Sequence, residues 1–339
     1  MIRTGIICPS EIALRRFLPA LRQLSDFVFT GVAIADKSEW ADATDEIIET
    51  ERIKAEAFVT QYGGKIFDSY ASIIHSDEID AVYLPLPPAL HFTWAKQALI
   101  AGKHILVEKP ATVSLSDTNV LLELARKNNL AVHENYMFTF HCQLAAIDDI
   151  VNSGEIGDVR LYRISFGFPR RSLSDFRYNR ILGGGALLDA GGYTIKYASM
   201  LLGETAEIVY AQSNYIDEFE VDVYGSAALV NDKGTTAQIA FGMDNNYKCD
   251  LEIWGSKGHL VSGRVLTAPA GFIPEVSIKT GDKTETRLLP ADDAFMKSIE
   301  RFHNCIENDD IRINNYKIIL RQAKLIEDFI TQTNIKRNG

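Results

Sequence analysis

The sequence predicts an α/β protein in which a doubly wound parallel sheet is followed by a second, strand-rich domain. Over the first 130 residues, short apolar runs alternate with helical patterns, as βαβ units do. From about Arg160 the segments instead alternate apolar and polar residues, which is typical of half-buried antiparallel strands. The 339 residues also exceed the roughly 250 to 300 at which a single core stops growing.

The N-terminal elements follow one another in βαβ order. The strands are expected in RTGIIC, FVFTGVAIAD, Ala81 to Leu84, HILVEKP and AVHENYMF. The helices are expected in IALRRFLPALRQL, in the acidic stretch that begins at Asp42, in HFTWAKQALIAG with Gly102 as its cap, and in LLELARKNNL. We therefore place a dinucleotide-binding domain over residues 1–133.

The remaining residues, 134–339, are expected to form a single second domain. Its strands are predicted in DVRLYRISFGFP, EIVYAQSNYI, DVYGSAALVND, TTAQIAFGM and KCDLEIWGSKGHLVSG. One helix interrupts them at GALLDAGGYTIKYASMLLG, and two amphipathic helices, AFMKSIERFHNCIEN and YKIILRQAKLIEDFITQT, should pack on the sheet.

Composition excludes several classes of function. The net charge of −10 is spread along the chain, which argues against a nucleic-acid partner. No apolar run reaches the length of a membrane span and no signal peptide is evident, so we expect a cytoplasmic protein without membrane contact. The four cysteines are far apart and lack metal-ligand spacing, which predicts reduced thiols and no metal.

The stretch TGIICPSEIALRRFLPAL has the layout of a dinucleotide-binding turn without its glycines. A strand reaches a turn at Cys8 and a helix follows from about Ile12, whose N-terminus would attract an anion. Ser10 offers a hydroxyl and an amide, and the small Ala13 allows close packing of helix on strand. We expect nucleotide binding, and a cysteine at position 8 is compatible with it if its φ is negative.

Two further stretches carry residues suited to catalysis. HILVEKP ends a parallel strand with Glu108, Lys109 and Pro110, where ligands gather, and Lys109 could donate a proton or stabilise an oxyanion. Pro110 would fix the turn, with a cis peptide bond as one option. In GGGALLDAGGY, Asp189 and Tyr193 stand four residues apart on one helix face. The alternatives are a solvated lysine and an ordinary glycine-rich loop.

Taken together, these stretches resemble the Gfo/Idh/MocA oxidoreductase family, and the match runs in order over nearly the whole chain. The motifs are EKP, HENYMFTFHCQ, GGGALLDAGGYTIKYASMLLG and LEIWGSKGHL. The resemblance implies an N-terminal Rossmann domain and a C-terminal α/β domain whose open, largely antiparallel sheet forms a homodimer or homotetramer. It also implies hydride transfer between a nicotinamide and a sugar, cyclitol or small carbonyl compound.

The resemblance also implies roles for individual residues. Lys109 matches the catalytic lysine and Asp189 the substrate-orienting aspartate, while Tyr193 stands where many members have histidine. Tyrosine at that position is similar to the glucose-fructose oxidoreductase branch and the nucleotide-linked 3-ketosugar reductases, in which the phenol is the proton donor. His91 and Glu134 match further family positions, although the residues themselves favour His91 as a helix-start or packing residue. Thr139 departs from a common arginine.

The cofactor is expected to be NAD or NADP, with a slight preference for NAD. An acidic residue at Asp36 accepts hydrogen bonds from ribose hydroxyls, whereas Lys37 and Ser38 could hold a 2′-phosphate. The predicted cofactor-binding residues are Cys8, Ser10, Glu11, Ile12, Asp36, Lys37, Leu86, His91, Glu108 and Lys109. The predicted substrate contacts are Arg177, Tyr136 and Phe168, for which surface ion pairs or core packing are the alternatives.

The leading hypothesis is a nicotinamide-dependent oxidoreductase acting on a sugar derivative, with a keto-sugar as the expected substrate, free or nucleotide-linked. One alternative is an enzyme that retains its NAD and catalyses elimination, hydrolysis or epimerisation without net redox change. The other is an inactive nucleotide-binding sensor or scaffold, suggested by the missing glycines. The presence of Lys109, Asp189 and Tyr193 together favours an active enzyme.

Overall fold

A computed structural model describes residues 1–40 and 43–337, which fold as two compact units. The first contains Met1–Asn135 and Phe295–Leu320, and the second contains Tyr136–Ala294 and the chain from Arg321 onward. Asp42, at the start of the predicted acidic helix, and the last two residues lie outside the described chain. Within the described ranges, no helix is both long and apolar enough to cross a bilayer.

The first unit is built on a six-stranded parallel sheet. Its strands are β1 (Ile2–Ile7), β2 (Phe27–Ala33), β3 (Lys65–Phe67), β4 (Ala81–Leu84), β5 (His104–Val107) and β6 (Val132–Glu134). Their order is β3-β2-β1-β4-β5-β6, so the order reverses beside β1. Strands β4 and β5 are apolar and almost wholly buried, which is typical of a sheet covered on both faces. The reversal marks the edge where such sheets bind dinucleotides.

Helices connect these strands. A π-helical turn, Ala13–Phe17, leads into α1 (Leu18–Leu21), and α2 (Asp45–Tyr62), α3 (Tyr70–Ile74), α4 (Pro88–Ile100) and α5 (Leu115–Lys127) follow. Side chains of Thr44, Ser69 and Ser114 accept amide hydrogens at the starts of α2, α3 and α5. Gly102, with φ of 78°, follows α4 as predicted.

The second unit is built on an eight-stranded sheet. Helix α6 (Cys142–Asn152) precedes it, and a π-helical turn, Leu187–Gly191, leads into α7 (Gly192–Leu202). The strands are β7 (Val159–Gly167), β8 (Glu207–Tyr215), β9 (Asp222–Val230), β10 (Thr236–Gly242), β11 (Lys248–Gly255), β12 (Gly258–Gly263), β13 (Glu275–Thr280) and β14 (Lys283–Leu288). The order is β14-β13-β12-β11-β7-β10-β9-β8, and only the β7–β10 pairing is parallel. The predicted largely antiparallel sheet is confirmed.

The two C-terminal helices do not follow the expected division into contiguous domains 1–133 and 134–339, because residues 295–320 belong to the first unit. Helix α8 (Ala294–Glu307) packs in the first unit, where Phe302 stacks on Phe27 of β2 and Phe295 meets Phe17 edge to face. Helix α9 (Asp309–Arg337) contributes to both units, and its Asn315 amide donates to the carbonyl of Val132 in β6. These aromatic and amide contacts bring residues 295–320 back to the first sheet.

His104 at the start of β5 makes the stability of the first unit depend on pH. Its Nδ1 accepts the amide hydrogen of Ala131, and burial, aided by the Arg312 charge, lowers its pKa from 6.5 to about 4. The unfolded chain therefore takes up a proton as the pH falls below 6.5, whereas the native chain resists until about 4. Native stability is full above this window and falls within it.

We expect the native protein to lose on the order of 2 kcal/mol more than a His104→Gln variant between about pH 7 and pH 5. The glutamine carbonyl can still accept the Ala131 amide hydrogen, and the other buried histidines are common to both proteins. Urea unfolding at the two pH values measures the difference. Equal losses in the two proteins would show that His104 does not govern this dependence.

Candidate active site

The turn after β1 adopts the conformation that glycine usually provides. Cys8 has φ of 85°, in the left-handed region, so the condition of a negative φ is not met. Its thiol donates to Glu51 with the sulfur 3.9 Å from Oε2, and burial, then Glu51, raises the pKa of Cys8 to about 12. Cys8 is thus a protonated packing residue whose backbone follows the dinucleotide turn.

The first helix presents its N-terminus at the end of this turn. Ser10 Oγ accepts the amide hydrogen of Ala13 at 3.3 Å, which caps the helix. The amides of Glu11 and Ile12 lie in the first turn, where a helix offers no acceptor of its own. Both side chains are exposed, and Glu11 pairs with Arg15 at 2.5 Å. Two outward amides at a helix N-terminus fit the pyrophosphate of a dinucleotide.

Asp36 and Lys37 follow β2, where the ribose of a dinucleotide binds in this fold. Asp36 Oδ1 accepts the amide of Ser38 at 2.8 Å and its hydroxyl at 2.6 Å, which lowers the pKa of Asp36. Lys37 is exposed and pairs with Asp45 at 2.6 Å. An ionised carboxylate and an exposed ammonium are therefore adjacent, and the loop offers partners for either a hydroxyl or a phosphate.

His91 connects the loops that follow β4 and β5. The ring is fully buried, with Nε2 2.7 Å from the carbonyl oxygen of Leu86 and Nδ1 2.8 Å from that of Pro110. Burial lowers the pKa of His91 to about 4. These contacts support the packing alternative, while a direct contact with the nicotinamide stays a prediction for His91 and Leu86.

The end of β5 is held by a chain of buried polar groups. Glu108 Oε1 accepts the Tyr83 hydroxyl and the Asn135 amide, each at 2.7 Å. Asn135 Oδ1 accepts the Ser298 hydroxyl at 2.8 Å, so that hydroxyl accepts in turn from His133 Nε2 at 2.9 Å. The direction of each hydrogen bond is fixed because an amide oxygen and a carboxylate only accept.

This chain determines the environment of Lys109, the next residue. Burial raises the pKa of Glu108, whereas the bonds from Tyr83 and Asn135 oppose that shift. Lys109 is half-buried and joined to Pro110 by a cis peptide bond, one of the two options for this turn. Glu134 Oε1 accepts the Ala111 amide hydrogen at 2.8 Å. The EKP segment is therefore hydrogen-bonded to Tyr83 of β4 and to Asn135 after β6, and Asn135 connects it to Ser298 of α8.

In the second unit, Asp189 lies in the π-helical turn before α7 and bonds to Arg177. Arg177 Nε donates to Asp189 Oδ2 at 2.7 Å, and its Nη1 donates to Asp175 at 3.1 Å. The guanidinium therefore engages two carboxylates. A substrate contact of Arg177, predicted from the sequence, has to be weighed against this ion-pair network.

Tyr193 begins α7 with its ring among other aromatic rings. Tyr136 and Phe166 meet it edge to face at centroid distances of 5.2 and 5.4 Å, and Phe138 lies 5.6 Å away. Tyr136 is almost fully buried and accepts the Gln322 amide at 3.3 Å, which is a packing position. Phe168 is half-buried beside Phe166. The aromatic rings around Tyr193 restrict the orientation of its phenol.

His141, Cys142 and Asp292 form a cluster that resembles a metal site, with one ligand atom from each within 4.8 Å of the others. His141 Nδ1 accepts the Gln143 amide hydrogen, which fixes the ring proton of the neutral form on Nε2. Asp292 Oδ2 accepts the Cys142 amide hydrogen at 2.7 Å. These bonds cap α6, and the expectation of no metal stays a prediction.

Comparison with known proteins defines the class. Residues 10–136 match the oxidoreductase family with an NAD-binding Rossmann fold, and residues 144–261 match the GFO/IDH/MocA C-terminal domain. The chain belongs to the GFO/IDH/MocA family of oxidoreductases. The predicted family, fold class and enzyme class, a nicotinamide-dependent oxidoreductase, are confirmed.

Individual relatives are similar to nearly the whole chain. The chain is 37% identical over 326 residues to a dTDP-3,4-didehydro-2,6-dideoxy-alpha-D-glucose 3-reductase of Actinomadura kijaniata, covering 96% of this chain and 94% of the relative. The reductase of the same description from Streptomyces violaceoruber is 38% identical over 336 residues, with the same coverage. The crystal structure of the 3-ketoreductase KijD10 from A. kijaniata, in complex with NADP and TDP-benzene, matches with a TM-score of 0.89, 37% identity and 98% coverage of both chains.

Sequence reasoning missed several residues that support these sites. Asn135 and Ser298 hold Glu108, and Asp175 shares Arg177 with Asp189. Lys196 is buried one turn after Tyr193, with its ammonium 5.6 Å from the Tyr136 ring centre. In the sequence, Asn135 could have been found from its place beside Glu134 in HENYMF. Ser298 lies in a segment whose only recognisable feature is the pattern of an amphipathic helix.

Removal of the Ser298 hydroxyl tests the buried chain. Ser298→Ala would leave Asn135 Oδ1 and the His133 ring without their shared partner, so we expect a loss of about 1–3 kcal/mol in the free energy of unfolding. Chemical denaturation measures it, with Ser153→Ala as the control because the Ser153 hydroxyl is exposed. A Ser298 variant as stable as the control would argue against a network that supports β5.

Proposed function

We propose that this protein reduces a keto group of a nucleotide-linked sugar to a hydroxyl, with a dihydronicotinamide dinucleotide as reductant. The observation that carries this proposal is similarity over 96% of the chain, at 37% and 38% identity, to two dTDP-keto-sugar 3-reductases. The same similarity favours a reductase over an enzyme without net redox change and over an inactive scaffold. It agrees with the keto-sugar reduction expected from Tyr193.

The first unit binds the cofactor, which supplies the hydride when bound. The amides of Glu11 and Ile12 hold the pyrophosphate, with Ser10 shaping the turn, and the residues after β2 hold the ribose. Leu86, His91 and Glu108 support the strand ends beside the nicotinamide. The chemistry of these groups supports the proposal. The amides of Glu11 and Ile12 are hydrogen-bond donors, the Asp36 carboxylate is ionised, and strands β4 and β5 end in buried apolar residues.

Lys109 and Tyr193 handle the proton. As the carbonyl carbon is reduced, the carbonyl oxygen takes the phenolic proton of Tyr193, which is later replaced from solvent. The Lys109 ammonium stabilises negative charge on the carbonyl oxygen and on the phenolate. Asp189 orients the substrate. Tyr136 and Phe168 contribute apolar surface to the substrate side.

We propose NADP(H) as the preferred cofactor, rather than the slight preference for NAD expected from the sequence. KijD10 is described with NADP, and Lys37 and Ser38 are exposed partners suited to a 2′-phosphate. Asp36 opposes this choice by repulsion, but its Oδ1 already accepts two hydrogen bonds from Ser38. Lys37 can exchange its exposed partner Asp45 for a phosphate at little cost.

We further propose that copies of the chain associate through the outer face of the second sheet, as a homodimer or homotetramer. That face exposes Tyr210, Tyr224 and Trp254, which are 44%, 45% and 53% exposed. The proposed substrate and cofactor are small molecules of the cytoplasm, where we expect the enzyme to act.

Substitution of the proton-handling residues tests the reaction. Lys109→Met and Tyr193→Phe should each lower kcat for reduction of dTDP-3,4-didehydro-2,6-dideoxy-D-glucose by NADPH about 10²- to 10⁴-fold, because each removes a group that acts in the transition state. NADPH binding should change little for Tyr193→Phe. The matched controls are Lys127→Met, on the exposed face of α5, and Tyr62→Phe at the end of α2. Full activity in either active-site variant would refute its assigned role.

Cofactor choice is tested by two neighbouring substitutions. Lys37→Ala should raise the Kd for NADPH about tenfold, equivalent to about 1.4 kcal/mol, and leave the Kd for NADH almost unchanged. Asp36→Ala should weaken NADH and strengthen NADPH, because it removes both a ribose acceptor and a repulsive charge. Fluorescence titration measures both constants. Tighter NADH binding by the native protein would restore the preference for NAD.

A further inference from the structure

Arg177 holds the carboxylate of Asp189 in a defined orientation. Its Nε donates to Asp189 Oδ2 at 2.7 Å, and its Nη1 reaches Asp175 Oδ1 at 3.1 Å and Oδ2 at 3.3 Å. The side chains of Arg177, Asp189 and Asp175 are only 22%, 15% and 18% exposed, respectively. Burial disfavours the charge on Arg177, yet the two carboxylates outweigh it and raise the pKa of Arg177.

The backbone of Arg177 is fixed as firmly as its side chain. Its amide donates to Asp175 Oδ1 at 3.0 Å, and its carbonyl accepts the amide hydrogen of Gly185 at 2.9 Å. A Cβ on Gly184 would lie 2.4 Å from that carbonyl oxygen, so only glycine permits this approach. The glycine-rich turn thus brings residue 177 against the start of the helix that carries Asp189.

The donors of the Arg177 guanidinium, which are arranged as a planar fork, each have a geometric role. Nε and Nη1 point to different carboxylates, so the planar guanidinium bridges Asp175 and Asp189 in one rigid arrangement. A lysine ammonium is a point charge without this fork and cannot hold both acids in the same geometry. The Phe176 ring, 4.6 Å from the guanidinium carbon, covers one face of the fork.

We propose that Arg177 is a positioning residue, which orients the Asp189 carboxylate instead of contacting the substrate itself. The proposal rests on the role of Asp189 in the proposed function. Without the pair with Arg177, the Asp189 carboxylate could rotate more about its last torsion and would hold the orientation that binds the substrate only part of the time. The pair with Arg177 removes that freedom before the substrate binds.

The test compares Arg177→Met and Arg177→Lys with Arg170→Met. Arg170 is a matched control because it also pairs with two acids, Glu218 at 2.8 Å and Asp244 at 2.9 Å, on an exposed surface. With dTDP-3,4-didehydro-2,6-dideoxy-D-glucose, Arg177→Met should lower kcat/KM about 30- to 100-fold and Arg177→Lys about 10-fold or more. Arg170→Met should stay within about twofold. The Kd for NADPH should be unchanged in all three.

Two readouts separate positioning from a merely structural role. Added guanidinium at low millimolar concentration should restore activity of Arg177→Met several-fold and leave the native enzyme unaffected, because the small cation can occupy the same bridge. The double variant Arg177→Met, Asp189→Asn should be no slower than Asp189→Asn alone, because each change by itself already abolishes the Arg177–Asp189 ion pair. Circular dichroism and melting temperature check that the variants fold, and Arg177→Lys serves if Arg177→Met does not.

The outcomes distinguish the inference from the function on which it rests. Native activity in Asp189→Asn would refute the role of Asp189 itself. A slow Asp189→Asn beside an unaffected Arg177→Met would overturn the positioning role alone. Losses that add in the double variant, without rescue by guanidinium, would show that Arg177 acts independently of Asp189, as a direct substrate contact would.

Discussion

The partial burial of Glu108 at the end of β5 is the constraint on which the predicted site of the first unit depends. A carboxylate partly withdrawn from water stays charged only if hydrogen bonds stabilise it. Tyr83 from β4 and Asn135 after β6 supply two donors, and Asn135 is itself oriented by Ser298 of α8. Three segments distant in sequence therefore have to be correctly packed before the strand end that carries Lys109 is formed.

The turn at Cys8 shows which part of a nucleotide-binding motif is dispensable. The strand-to-helix connection requires a left-handed backbone at this position, which glycine adopts without strain and other residues adopt at a cost of roughly 1–2 kcal/mol. Here the side chain is accommodated beside Glu51, and the helix still begins with a capping serine at Ser10. The motif is thus a backbone conformation, and glycine is its commonest but not its only means.

The sequence predicted the elements whose patterns are local. The apolar runs of β1, β2, β4 and β5 were found, as were the alternating strands β7 to β12, because burial on one or two faces leaves a periodic trace. Strands β3, β13 and β14 were missed: β3 has only three residues, β13 alternates over only six, and β14 is nearly all exposed and polar. Lys109, Asp189 and Tyr193 were predicted as site residues from their motifs, and their roles stay predictions. Their supporting partners were not predicted, since Ser298 and Asn135 are 163 positions apart and no local pattern links them.

Two π-helical turns of the described chain, Ala13–Phe17 and Leu187–Gly191, occur in two of the three stretches that the sequence analysis selected for function. Such turns widen the helix locally and change the direction of the side chains that follow. In the first, Phe17 stacks on Tyr83 with ring centres 4.1 Å apart, and Tyr83 donates to Glu108. The helix whose N-terminus is predicted to bind the nucleotide is therefore in direct contact with Tyr83, which supports Glu108. That helix and the strand end that carries Lys109 share one set of packed side chains.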